Sequence, residues 1–233
     1  QQTEDLTELS LPLLSGAHWL ARAMLGKDLN GFVAKRNVPP GLLDKPWEWY
    51  NQVPENMSGP IDRVGPYVNP DSVEVRQTKD VVGFQIDGPF DSEAAQSQIL
   101  LVDTFGYPIL YYAANTLAKR PLARLDIEDL PAVYTHEDNM AFTGQDADDG
   151  WDFGAGDHKI HKFGETDWGM IGTDSDTFCW YILDKRAYEA TLEGGAATEN
   201  TAIKPVRNDA FLLITAGKDA LYGSSDDVVN FGR

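Results

Sequence analysis

The sequence predicts an α+β domain, and three observations carry that prediction. Apolar residues recur at helical spacing near the start of the chain, strand-like segments come only after them, and 21 Gly and 13 Pro with 11% aromatic residues break the remainder into turns pinned by rings. Helix and strands are thus segregated along the chain rather than alternating, which separates α+β from doubly wound α/β. A length of 233 residues suffices for one domain with a real core.

The elements follow in order. Over residues 4–25, Leu6, Leu9, Leu13, Ala17, Leu20 and Met24 recur at steps of three and four and share one helical face. Thr3 or Ser10 is a candidate cap, Pro12 suits a first turn and Gly26 suits the stop. Residues 27–72 read as a loop-rich segment, with Pro39-Pro40-Gly41, Pro46-Trp47-Glu48-Trp49-Tyr50 and Gly65-Pro66-Tyr67. Strands are expected at Val73–Arg76, where apolar and polar residues alternate, and at Val81–Ile86. Ile99–Asp103 and Ile109–Tyr112 flank a Gly/Pro turn and read as a hairpin, so residues 73–112 form the β-hairpin region. Residues 113–175 are an acidic, Gly-rich insertion with helical character only near 126–130. In the C-terminal part, residues 176–233, Phe178–Leu183 reads as a strand and Asp184–Glu193 as a short helix or its continuation. Phe211–Thr215 is a strong last strand entering an Asp/Ser/Gly loop, and Val228–Phe231 closes the chain.

Charge excludes some partners. With 19 Lys+Arg against 37 Asp+Glu the formal net charge is −18, which repels nucleic-acid phosphates and anionic lipid. Cations are natural partners, and solubility of an exported protein explains the same charge. The single cysteine, Cys179, excludes an internal disulfide and, in the apolar run Phe178–Tyr181, reads as a small buried hydrophobe. No window of about 20 apolar residues is present to span a bilayer. The chain opens Gln1-Gln2 without Met, which reads as a processed product or a trimmed piece, compatible with an anchor upstream of Gln1.

The segment richest in chemistry is Thr215–Val228. A hard cation such as calcium takes six to eight oxygens in flexible geometry. Asp219, Ser224, Ser225, Asp226, Asp227 and free carbonyls supply oxygens, while Gly217 and Gly223 permit positive-φ turns. The order is not that of an EF-hand, and an Asp-capped turn between strands accounts for the same residues.

Ile214-Thr215-Ala216-Gly217-Lys218-Asp219 followed by Tyr222-Gly223-Ser224-Ser225-Asp226-Asp227-Val228 resembles the C-terminal loop of the major pseudopilins of type II secretion and of related prepilin-type proteins. Asp103-Thr104-Phe105-Gly106-Tyr107-Pro108-Ile109-Leu110-Tyr111-Tyr112 is similar to the hairpin that precedes that loop in the same family. The resemblance implies a pilin-like fold: an N-terminal helix packed on a mainly antiparallel sheet with long insertions and a calcium loop. It implies a structural Ca2+ held by Asp219, Ser224, Asp226 and Asp227 with the Leu221 carbonyl. It also implies a non-enzymatic subunit of a type IV pilus-like or secretion pseudopilus-like filament, at the cell surface or in the periplasm. Its partners would be copies or relatives of itself, with a hydrophobic N-terminal helix and inner-membrane anchoring supplied by a segment absent from this chain. The chain departs from the family at Lys218, Ala220 and Ser225, where Pro, Gly and an acidic residue are usual. The lysine sets a positive charge beside the expected ion.

Other signals have two readings. Asp146, Asp148, Asp149 and Asp152 form either a second cation loop or a solvated turn. His158 and His161, three apart, would suit zinc on a helical turn, but Gly154, Gly156 and Gly164 argue against a helix there. The six tryptophans, Trp19, Trp47, Trp49, Trp151, Trp168 and Trp180, are a sugar platform or, more simply, core and loop anchors. The alternative function is therefore an exported, calcium-stabilised carbohydrate- or protein-binding module. Phosphate-binding and nucleophile-elbow motifs are absent.

Overall fold

The computed structural model describes residues 14–26, 28–34, 62–84, 90, 92–116, 133–144, 178–193, 205–207 and 209–231. Among them α-helix and antiparallel strands are combined, as the sequence predicts for an α+β chain.

Helix α1 spans Gly16–Leu25 and stops at Gly26, whose φ of 78° only glycine adopts without strain. The expected continuous helix over 4–25 is corrected: Leu14 and Ser15 are not helical, and Ser15 is extended at φ −79°, ψ 171°. Ser15 is the N-cap. Its N–H donates to His18 Nδ1 at 3.1 Å and its hydroxyl lies 2.8 Å from the same nitrogen. Thr3, Ser10 and Pro12 lie outside the described residues. The buried face is Gly16, Ala17, His18, Ala21 and Leu25, with Leu20 and Met24 packed at its margin.

Two short strands lie in the segment expected as loop, β1 (Phe32–Val33) and β2 (Arg63–Val64), paired antiparallel. Arg63 clamps Asp28 through two hydrogen bonds of 2.8 and 2.7 Å, and this pair holds the Asp28 carboxyl below its usual range.

Strand β3 (Glu74–Gln77) pairs antiparallel with β4 (Ile99–Val102), in register from Glu74 opposite Val102 to Gln77 opposite Ile99. Helix α2 (Glu93–Gln96) precedes β4 and is capped by Ser92, whose hydroxyl accepts from the Ala95 amide. The strand expected at Val81–Ile86 is corrected over its described part. A 3-10 turn at Thr78–Asp80 runs into further turns, with the Val81 amide on the Thr78 carbonyl and the Phe84 amide on the Val81 carbonyl. Local turn bonds there outcompete a ladder despite the apolar run.

Strand β5 (Leu110–Ala113) follows the Gly/Pro turn, but its ladder partner is β6 (Phe211–Ile214), with Leu110 opposite Ile214 and Ala113 opposite Phe211. The hairpin expected between Ile99–Asp103 and Ile109–Tyr112 therefore survives as its turn and one bridge, Val102 opposite Pro108, while each strand ladders elsewhere. The bridge is made by the Ile109 amide on the Leu101 carbonyl and the Asp103 amide on the Tyr107 carbonyl, both at 2.9 Å, so the N–H that Pro108 lacks falls where the pairing does not need one.

A 3-10 turn at His136–Asp138 leads into α3 (Met140–Thr143). Phe178–Ile182 is helical, α4, which corrects the strand reading of Phe178–Leu183. Helix α5, Lys185–Glu193, matches the helical option for that stretch. A five-residue apolar run carries no periodicity that distinguishes strand from buried helix.

The main core joins α1, the ladders and the later helices through Ala17, Phe90, Leu100, Leu110, Tyr112, Phe142, Phe178, Ile182, Leu212, Ile214 and Tyr222. A second cluster, Ala21, Leu25 and Leu101, lies under the other side of α1. Gly16 lets the helix touch the sheet: a Cβ there would stand 1.9 Å from the Tyr111 carbonyl oxygen. Buried Asn139 fastens the same junction, accepting from the Ala17 amide at 2.9 Å and donating to the Tyr111 carbonyl at 2.8 Å. No helix among the described residues is long and apolar enough to cross a membrane.

Candidate functional site

The acidic loop leaves β6 and returns beside it. The Thr215 amide donates to the Val228 carbonyl at 3.1 Å, Val229 bridges Ile214, and the Asn230 side chain accepts from the Leu213 amide at 2.9 Å. The loop is thus clamped at both ends, and its turns fall where the backbone is left-handed: Gly217 at φ 63°, Ala220 at φ 66° and Gly223 at φ 98°. Gly217 is required by contact as well, because a Cβ there would lie 2.6 Å from the Asp226 carbonyl oxygen.

Asp226 is the hub. Its Oδ2 accepts from the Lys218 amide at 2.8 Å and the Asp219 amide at 3.2 Å, and its Oδ1 accepts from the Ser224 hydroxyl. The Ser224 hydroxyl, with those amides, holds the Asp226 carboxyl down at about 2. Asp227 is the opposite case. Burial pushes its carboxyl up to about 7, outweighing the Gly223 amide at 2.8 Å and the Ser224 hydroxyl at 3.3 Å. The Tyr181 hydroxyl, from α4, also donates to Asp227. Asp219 accepts from the Leu221 amide at 2.9 Å in an Asx turn, and its charge acts on Asp227.

Asp219, Ser224, Asp226 and Asp227 are therefore linked through hydrogen bonds within one loop, and Leu221 joins them by its amide. Asp226 and Asp227 share one hydroxyl, whose single proton bonds one of them at a time. The donors are all oxygen, the chemistry a hard cation takes. Among the described residues, however, no group of three or more His, Cys, Asp or Glu side chains is placed to hold a metal ion. The loop's carboxylates close on its own amides instead.

The second expected motif adjoins the first. Asp103 Oδ1 accepts from the Phe105 amide at 2.9 Å and the Tyr107 amide at 3.0 Å, closing the turn, and Gly106 sits at φ 91°. From the acidic loop, buried Tyr222 donates to the Pro108 carbonyl at 2.6 Å. Burial, and next the Asp103 charge, push the Tyr222 hydroxyl well above its ordinary value. Tyr181 and Tyr222 are contributors that sequence reasoning did not assign. Tyr222 lies within the acidic motif beside Gly223, which is a usable signal, whereas nothing in the apolar run around Tyr181 points to the loop.

Asp146, Asp148, Asp149 and Asp152, with His158 and His161, lie outside the described residues, as does the Cys179 side chain. So do the side chains of Trp47, Trp49, Trp151, Trp168 and Trp180. Trp19 is on the surface, 48% exposed.

Comparison with protein-family models, with curated proteins and with solved structures finds no match.

Proposed function

We propose that this chain is a non-enzymatic structural subunit of a pilus-like or secretion pseudopilus-like filament, its pilin-like domain stabilised by calcium. The observation that carries the reading is the contact between the two motifs: Tyr222 of the acidic loop is bonded to Pro108 of the 103–108 turn. Two segments that resemble one family's paired elements meet in space, beside a helix laid on antiparallel strands. Calcium would be held by Asp219, Ser224, Asp226 and Asp227 and the Leu221 carbonyl. It would replace the amide bonds that now satisfy Asp226 and neutralise crowded carboxylates, adding to the hold that buried Ala216 and Tyr222 already give the loop.

In this reading the domain works outside the cytoplasm, its partners are further copies or related subunits, and a hydrophobic helix from another segment joins it to the inner membrane and to the filament core. Such a subunit holds a structural ion and turns nothing over. Immunogold labelling of producing cells with antibody to the domain tests the assembly. Gold decorating filaments along their length is expected, and gold confined to the soluble fraction overturns the reading.

A further inference from the structure

The ring of His18 joins the start of α1 to the rest of the fold. It is fully buried, packed edge-on to Phe90 at 5.3 Å and tilted against Phe142 at 5.6 Å. Its hydrogen bonds fix one tautomer. The Ser15 amide is only a donor, so Nδ1 accepts from it, and the hydrogen is on Nε2, which donates to the Thr78 hydroxyl at 3.0 Å. Thr78 passes its own proton to the Gln98 carbonyl at 3.1 Å. One chain of bonds therefore runs from the N-cap of α1 through the imidazole to the residue that enters β4.

A second proton is disfavoured. It would put an N–H on Nδ1 facing the Ser15 N–H and break that bond, leaving the Ser15 hydroxyl as the one acceptor for Nδ1, and it would leave a buried cation. The charged group that acts on the ring is Arg22, one turn along the same helix and of like sign. Among the described residues of other elements the ring meets Thr78, Phe90 and Phe142, none of which offers a negative charge. We propose that His18 is an acid-released latch: a proton on Nδ1 undoes the Ser15 cap and frees the first turns of α1 from the sheet. This is a conformational device independent of the acidic loop. Burial, then Arg22, hold the imidazole at about 3 instead of 6.5. The opening equilibrium of α1 then rises about tenfold per pH unit below 6.5, because the open state alone takes the proton.

Amide hydrogen exchange of Trp19–Leu25, corrected for intrinsic rates, tests this on the intact chain. Between pH 6.5 and 4.5 protection is expected to fall about fifty-fold. In His18→Gln, which keeps an acceptor for the Ser15 amide and a donor for Thr78 but cannot be protonated, the fall is expected to be under about threefold. An equal fall in both proteins overturns the latch. Ring nitrogen shifts of the unsubstituted protein give a second reading that needs no variant. Nδ1 is expected unprotonated at neutral pH, gaining its proton only as the α1 signals lose dispersion. A doubly protonated His18 in a chain whose α1 stays protected overturns the proposal.

Discussion

The Tyr222 hydroxyl donates a 2.6 Å hydrogen bond to the Pro108 carbonyl, tying residues 114 positions apart. Both partners are buried, so removing the hydroxyl leaves an acceptor without its donor. Tyr222→Phe is expected to lower stability by about 1–3 kcal/mol, read as a lower urea midpoint at unchanged slope. An unchanged midpoint would show that water replaces the bond.

Gly16→Ala should cost more than a helix-propensity argument suggests. Alanine is the better helix former, yet its Cβ would be driven against the Tyr111 carbonyl, which is backbone and cannot swing aside. A loss of about 2–4 kcal/mol is expected from forced separation of α1 and β5. A gain in stability on thermal unfolding would contradict the close approach.

Ala220 holds φ 66°, a region that costs an L-residue about 1 kcal/mol or more. Ala220→Gly is expected to raise stability by several tenths of a kcal/mol to about 1 kcal/mol, less the added freedom of the unfolded chain. The measurement is the shift in melting temperature against the parent.

Calcium should raise the melting temperature. If the ion binds the folded loop alone, calcium at a hundred times its Kd adds about 2.7 kcal/mol, or roughly 5–10 °C for a chain of this length. A melt with calcium against one with chelator reads it, and Asp226→Asn is expected to abolish the difference. Identical melts for the parent chain would end the calcium assignment.

Asp138 sets a pH dependence of opposite sign to that of His18. Burial, then Glu137, hold its carboxyl up at about 6 against 3.8 in an unfolded chain. Between those values the folded state carries more protons, so this group's contribution is lost as pH rises from about 4 to 6. Asp138→Asn should remove about 1 kcal/mol of the stability change across that window, the partial exposure of the side chain screening the rest. Denaturant midpoints measured across the window check it.

What the sequence revealed was local. Ile99–Val102 and Phe211–Ile214 were legible because dense apolar, β-forming residues end at turn formers, and the stop of α1 was legible in Gly26. The partners were not. Nothing in Leu110–Ala113 says that it ladders with Phe211–Ile214 rather than with the neighbouring strand, because that choice is made by the core the three share. The helical Phe178–Ile182 run was ambiguous for want of period. Ser15 is hard to read as a cap because apolar spacing runs straight through it, and its role rests on His18 at the third helical position, where glutamate or glutamine is the usual signal. In the acidic loop the residue types were readable, but the split between a strongly acidic Asp226 and a reluctant Asp227 depends on the burial of Asp227, which only the folded chain fixes.

The β5–β6 ladder also constrains how the fold is reached. Its partners lie roughly a hundred residues apart, so loop closure must precede any reward from the pairing. Until Phe211–Ile214 arrives, β5 is an apolar edge with unsatisfied amides, the kind of template on which another nascent chain can add itself. The interval between synthesis of the two strands is therefore when this protein is most exposed to misassembly, and when a holding factor would do it most good.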